Sequence, residues 1–302
     1  MFVDIGLFAP SGPSIGYVMG GYTTGDTNEI DSFNFTTEVR SNVTATLSVS
    51  RREVAGVNSV TRGYALGGDQ GGVKKNEIDG LQFSDESAIN PAAVLSVARH
   101  ALGGFNSTTK GYACGGDNGT TRVNEIDGLQ FSDESAINPA ATLAVARAGT
   151  TASVNSSIKG YVLGGLDNTT YSSEIDGLQF SDESAINPAA VLSVARYGAG
   201  GINSSSKGYA CGGQTGSDSS EIDGIQFSDE SAINPAATLN TARQTIAGVN
   251  SETKGYTIGG TNTSGSNSEI DGLRFSDESA INPSATLINA RFGAAGVQAG
   301  SK

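Results

Sequence analysis

The sequence predicts an all-β chain folded as a six-bladed β-propeller of four-stranded blades, closed by a C-terminal strand that completes the first blade. Three observations carry this expectation. A Gly-Tyr pair followed two residues later by Gly-Gly recurs six times, starting at Gly16, Gly63, Gly111, Gly160, Gly208 and Gly255, with a spacing of 47 to 49 residues. Every unit then carries Glu-Ile-Asp, at Glu29, Glu77, Glu125, Glu174, Glu221 and Glu269. An arginine closes each unit: Arg51, Arg99, Arg147, Arg196, Arg243 and Arg291. The run from Glu77 to Arg99 is repeated letter for letter from Glu174 to Arg196. Four short strands in a unit of ~45–50 residues is the period of a propeller blade.

The fourth unit shows how each element is read. Strand B spans 160–164 and runs into a loop, LDNTTYSS. Strand C covers Glu174 to Phe180. A hairpin through Ser181, Asp182 and Glu183 leads past Asn187-Pro188 to strand D, expected around Ala190 to Val194. Arg196 opens strand A of the next blade, and an Asn-Ser-Ser-Ser-Lys turn returns to the next Gly-Tyr. Gly, Asn, Asp, Ser and Pro cluster where turns are needed. Strands A and C are apolar or small on both alternating faces, as expected for sheets packed between two neighbours. The chain starts on strand B, at Tyr17, and ends on an unpaired strand A, from Arg291 to Gln298. Ser301-Lys302 match Thr253-Lys254, so the last strand should complete the first blade from inside. Closure removes the sheet edges that invite aggregation. The domain is therefore placed at 16–302. Residues 1–15 form an apolar tail with Phe2, Val3, Ile5, Leu7 and Phe8, which either covers the rim or anchors the module to a partner.

Composition agrees. Glycine numbers 42, tryptophan is absent and there is one histidine, a balance that suits tight turns and short strands. The net charge of -13 repels phosphate, so neither nucleic acid nor an anionic membrane surface is an expected partner. No run approaches the ~18 apolar residues of a membrane span, so membrane insertion is not expected. The start lacks the basic leader and the long apolar core of a signal peptide. Cys114 and Cys211 occupy one position in two different units and read as small buried hydrophobes, too far apart for a disulfide.

The unit resembles the kelch repeat, through the Gly-Gly pair ending strand B, the tyrosine before it and the arginine leading into strand A. Kelch blades carry a tryptophan on the fourth strand, and Ile89, Ile137, Ile186, Ile233 and Ile281 stand in its place here. The resemblance implies architecture; propellers host many functions.

Comparing the units with one another separates constant from variable positions. The C–D hairpin is close to SDESAINPAA in five blades, whereas the B–C loops differ throughout. The residue after each closing arginine also varies: Arg52, His100, Ala148, Tyr197, Gln244 and Phe292. Strand alternation places B–C and D–A loops on one face of the disc and A–B and C–D loops on the other. Loops on a rigid scaffold are where binding resides. The candidate binding residues on the variable face are Tyr22, Arg52, His100, Arg122, Tyr171, Tyr197, Gln244 and Phe292. On the constant face, Asp-Glu pairs at 85–86, 133–134, 182–183, 229–230 and 277–278 make an acidic ring, offset by Arg62, Lys110, Lys159, Lys207, Lys254 and Lys302 in the A–B turns. The six closing arginines are expected to pair with the six glutamates of Glu-Ile-Asp as a structural ladder.

No active site is expected. Catalysis needs a cluster of unlike groups, and most candidates here occur six times in equivalent places. The single histidine, His100, excludes a histidine metal cluster, and no phosphate loop, dinucleotide fingerprint or GxSxG elbow is present. No cofactor or metal is expected. The Ser/Thr/Asn-rich loops and duplicated blades resemble propeller proteins of tailed bacteriophages. That resemblance implies a non-enzymatic virion protein of the tail, fibre or capsid decoration. Its implied partners are other virion proteins, through residues 1–15, and a host-surface glycan or protein, through the variable face. The alternative is a cytoplasmic kelch-like adaptor or a lectin.

Overall fold

The computed structural model describes residues 14–149 and 152–299. They form six four-stranded antiparallel sheets arranged as the blades of a closed propeller. In blade 4 the strands are A (Ala152–Asn155), B (Lys159–Leu166), C (Tyr171–Gln179) and D (Ala185–Ile186). In blade 1 the C-terminal strand Ala295–Gln298 supplies A, beside B (Ile15–Met19), C (Ile30–Asn34) and D (Val39–Val43). Closure pairs Tyr17 with Val297 and Met19 with Ala295. Ile15 thus already belongs to the propeller; the rest of the apolar tail up to Pro13, and the Ser301-Lys302 match, lie outside the described residues.

The glycines at the axis follow from how closely the six A strands approach. The second residue of strand A is Gly56, Gly104, Gly201, Gly248 or Gly296, with Ser153 in blade 4. A Cβ added at Gly248 would sit 1.9 Å from the Gly201 carbonyl oxygen. Outward from the axis, each blade buries an apolar face against the next. The Gly-Tyr tyrosines are among the most buried side chains, each stacked on a phenylalanine of the following blade, as with Tyr161 on Phe227 at 5.7 Å between ring centroids.

Two expectations about strand boundaries are corrected. Strand D is not at 190–194 but at Ala185–Ile186, before Asn187-Pro188. Pro188 has no N–H to continue a ladder, and the chain beyond it crosses to the next blade, anchored by buried Leu192. A bridge from Val191 to Glu174 and the N–H groups of Leu192 and Arg196, which donate to the carbonyls of Ser173 and Ser172, tie this crossing to strand C. Likewise Arg196 does not open strand A, which begins four residues later at Gly200.

The intervening residues build a feature absent from the sequence reading. The second residue after each closing arginine (Glu53, Ala101, Gly149, Gly198, Thr245, Gly293) has φ between +53° and +105°. The N–H of each donates to the carbonyl of its counterpart one blade back: Ala101 to Glu53, Gly149 to Ala101, Gly198 to Gly149, Thr245 to Gly198, Gly293 to Thr245, Glu53 to Gly293. The six hydrogen bonds, 2.5 to 3.0 Å long, form a closed belt around the axis on the variable face. The left-handed conformation turns each peptide tangentially to meet its neighbour.

Candidate functional site

The two faces are built from different chemistry, and both begin with the buried arginines. All six closing arginines are 0% or 1% exposed. The expected ladder is present only in part: the aspartate of Glu-Ile-Asp takes each guanidinium most closely, and the glutamate joins at longer range in four blades. Arg51 donates to Asp79 at 2.7 Å, Arg243 lies 2.5 Å from Asp271, and Arg291 lies 2.9 Å from Asp31. Arg99, Arg147 and Arg196 contact Asp127, Asp176 and Asp223. Glutamate and aspartate lie two apart on one side of strand C, but the glutamate sits at its outer end. Glu174, Glu221, Glu269 and Glu29 reach their arginines only at 3.4 to 3.7 Å and remain half exposed. Glu77 and Glu125 make no such contact with Arg51 and Arg99 among the described residues. Each arginine also donates to a carbonyl of strand B, such as Ala65 at 2.9 Å, so the pair is tied to the main chain. Burial pushes the Arg51 and Arg291 guanidinium groups below their usual range, against the pull of Asp79 and Asp31. Burial likewise raises Asp31, with Arg291 opposing.

On the constant face the acidic ring divides in two. The aspartates are exposed and capped by the serine two residues on, as where Ser184 donates from its N–H and hydroxyl to Asp182. The glutamates are clamps. Glu230 accepts the hydroxyl of buried Tyr161 at 2.9 Å and the ammonium of Lys159 at 2.6 Å, both from the preceding blade. Glu134, Glu183 and Glu278 repeat the arrangement with Arg62, Lys110 and Lys207, and Glu86 receives Tyr17. The sixth clamp is Glu38, which accepts from Lys254 and Tyr256. Sequence comparison missed it because Thr36-Thr37 replace Ser-Asp there, but a Phe-x-x-Glu spacing runs through all six units. Each clamp glutamate has φ between +53° and +57°, a strained conformation held by its side-chain bonds. Lys254 holds Glu38, and Lys159 holds Glu230, below the usual carboxylate range. The tyrosine hydroxyls are pushed up by burial, Tyr64 to about 12.

On the variable face the two diversified positions meet. The residue after each arginine bridges to the B–C loop: Arg52 with Asp69, His100 with Asp117, Ala148 with Leu166, Tyr197 with Gln214, Gln244 with Thr261 and Phe292 with Tyr22. The side chains there differ from seam to seam. Tyr22 and Phe292 lie 5.2 Å apart between ring centroids, and the Arg52 guanidinium sits 4.9 Å over the Tyr22 ring. Arg52 also pairs with Asp26 at 2.9 Å and Asp69 at 3.2 Å. Tyr171 and Tyr197 form a second aromatic pair at 5.3 Å. Gln244 donates to Asp218 at 3.2 Å, and the Asp218 carboxylate also accepts the Thr263 N–H from the next loop. His100 stands apart from these clusters, with Nδ1 on the Asp117 carbonyl and Nε2 3.3 Å from Glu53. Among the described residues the Arg122 side chain reaches only Asn168, at 3.4 Å.

Asp26, Arg52, Tyr171, Tyr197, Asp218 and Gln244 share one logic: a B–C loop residue meets the residue 26 positions later, across a blade seam. Asp26, Asp69 and Asp218 were not singled out by sequence; the 26-residue offset is the signal that finds Asp26 and Asp218, whereas Asp69 meets Arg52 through the bridge between their main chains. Among the described residues no group of three or more His, Cys, Asp or Glu is placed to hold a metal ion. Cys114 and Cys211 are free and buried, their thiols pushed up by desolvation. No model of a known protein family matches the sequence, and no curated protein does.

Proposed function

We propose that this chain is a non-enzymatic binding and assembly module of a virus particle, recognising a host-surface glycan or protein through its variable face. The observation that carries the reading is the contrast at equivalent seams. One disc, held by six copies of one arginine–aspartate pair, presents an ion pair at one seam, two tyrosines at another and a carboxylate–amide pair at a third. Scaffold repetition with changing contact chemistry is the pattern of a recognition surface on a rigid frame. The aromatic pairs favour a glycan as the ligand, since partly exposed tyrosine faces stack on sugar rings and their hydroxyls remain free to bond. The lysines and Arg62 in the described A–B turns are engaged by glutamates and the net charge is -13, which disfavours nucleic acid. The virion setting rests on the resemblance of the duplicated, Ser/Thr/Asn-rich units to tailed-phage propellers. The segment before Ile15 is the proposed contact to other virion proteins.

A glycan array with the intact chain tests the reading. Binding is expected, and Tyr171→Ala with Tyr197→Ala should lower it about tenfold or more, as loss of stacked aromatic anchors does at other recognition sites. Unchanged binding in that double variant, and in Tyr22→Ala with Phe292→Ala, would remove the variable face as the sugar site. Immunogold labelling of particles is expected to place the chain on the tail or capsid exterior; labelling confined to host cytoplasm would favour a cellular adaptor.

A further inference from the structure

The constant face opens at the axis into a basin of about 700 Å3, bordered by the A–B turns of blades 4, 5 and 6 and by Gln298. A second basin of about 220 Å3 continues it across Asn155 toward blades 2 and 3. The larger volume lies in the range of small-ligand sites. We propose that this axial basin is a binding site for an alkylammonium group, carried either by a free polyamine or by a lysine side chain of a protein partner.

The hydrogen-bonding inventory of the wall argues for a donor-rich, cationic ligand. Each strand A ends in an amide: Asn58, Asn106, Asn155, Asn203, Asn250 and Gln298. The Nδ2 groups of Asn58, Asn106, Asn155 and Asn203 are turned back onto the carbonyl of the following serine, at 3.2 to 3.4 Å. One N–H of each of these amides is thus engaged. The carbonyl oxygens are spent only in part. Asn58, Asn106 and Asn250 each accept the main-chain N–H of a neighbouring blade. Among the described residues no protein group donates to the Oδ1 of Asn155 or of Asn203, and both border the larger basin.

Charge points the same way. Glu252 is an exposed carboxylate on the basin rim, where the other described A–B turns carry Val60, Thr108, Ser157 or Ser205 at the same position. The nearby cations Lys159, Lys207 and Lys254 are held on their glutamates at 2.6 to 2.7 Å and do not fill the acceptor positions. An ammonium offers three N–H donors and one positive charge, so it matches two open carbonyls beside a carboxylate. An anion would meet a net charge of -13.

Calorimetric titration of the full chain with spermidine, and separately with an N-acetylated, C-amidated Gly-Lys-Gly peptide, tests the proposal. At least one probe should bind at one site; the one that binds better identifies the source, and binding of neither overturns the proposal. Glu252→Gln should weaken that site about threefold to fivefold, the size of one partly exposed charge interaction. Asn203→Asp, which keeps the shape and adds a charge, should strengthen it by about as much. Asp182→Asn changes a carboxylate on the same face outside the basin and should leave the affinity unchanged. If Asp182→Asn weakens binding as much as Glu252→Gln, the attraction is diffuse and no site exists; weaker binding by Asn203→Asp would overturn the assignment too. Acetylating the peptide's lysine should abolish its binding. Tyr171→Ala with Tyr197→Ala, on the opposite face, should not affect either probe, so this site and the variable face can fail independently.

Discussion

The two faces of the disc solve one problem, joining neighbouring blades, in opposite ways. On the constant face every described seam uses the same tyrosine and glutamate, with the tyrosine ring on a phenylalanine. On the variable face the seam contact is rebuilt each time, as an Arg52–Asp26 ion pair, a tilted Tyr171–Tyr197 ring pair or a Gln244–Asp218 hydrogen bond. The difference lies in depth. The clamp tyrosines are buried, so an unmatched hydroxyl there would be costly. The variable residues are part-exposed, where water satisfies what a neighbour does not. One face can therefore change its chemistry without unfolding the disc, because the other face and the buried arginine–aspartate pairs hold it.

The largest way to break that contrast is alkaline pH, which acts on all the clamps at once. The tyrosine pKa values in the folded chain lie above the usual 10.0, first through burial and, for Tyr161, Tyr209 and Tyr256, next through the hydrogen bond to glutamate. The unfolded chain releases these protons near pH 10 while the folded chain keeps them. The clamp contribution is thus fully present below pH 10 and is lost as pH rises through the folded values, about 12 for Tyr64. Tyrosinate absorbance should rise in one steep step together with loss of the β-sheet circular dichroism signal. Gradual ionisation with the fold intact would mean that the tyrosine hydroxyls are open to water.

Next in size is a single buried pair. Arg196→Met leaves the Asp223 carboxylate uncompensated in the core and should cost about 3 to 5 kcal/mol in denaturant unfolding. Glu221→Gln removes only the half-exposed carboxylate at 3.6 Å from the same arginine and should cost under about 0.5 kcal/mol. Equal losses would restore the glutamate as the arginine's structural partner. Glu230→Ala, which orphans the Tyr161 hydroxyl, should fall between, at about 2 kcal/mol. On the variable face Arg52→Ala, with its side chain 28% exposed, should cost no more than about 1 kcal/mol. If Arg52→Ala costs as much as Glu230→Ala, the variable seams are structural and the case for their freedom to change collapses.

The architecture was readable because six near-copies repeat every feature that burial demands: the tyrosine, the Gly-Gly pair, the arginine. The errors share a cause. Glu-Ile-Asp offers two carboxylates on one side of a strand, and sequence spacing does not say which lies deeper. Ala190 to Val194 reads as a strand because it is mostly apolar, but Val191 and Val194 are exposed and Leu192 is buried as the anchor of the crossing between blades. The candidate residues on the variable face were visible as variation; their pairing across seams was not, since it depends on the closed ring that sets blade 4 against blade 5. The axial belt was invisible because its positions read Glu, Ala, Gly, Gly, Thr, Gly and only the main chain takes part.

That belt supplies the smallest predicted effect and the finest test of the contrast. If the main chain alone builds it, the side chains at its six positions are tolerated and not required. Thr245 is the least suited of them, a β-branched residue at φ +53° whose buried hydroxyl has no hydrogen-bond partner among the described residues. Thr245→Gly relieves the left-handed strain and the orphaned hydroxyl, offset in part by the greater freedom of glycine in the unfolded chain, and should stabilise by about 0.5 to 1 kcal/mol. Glu53→Gly should gain less, because it also removes the carboxylate 3.3 Å from His100. A loss of stability in Thr245→Gly would show that side chains hold the belt, and the variable face would then be as constrained at its centre as the constant face is at its seams.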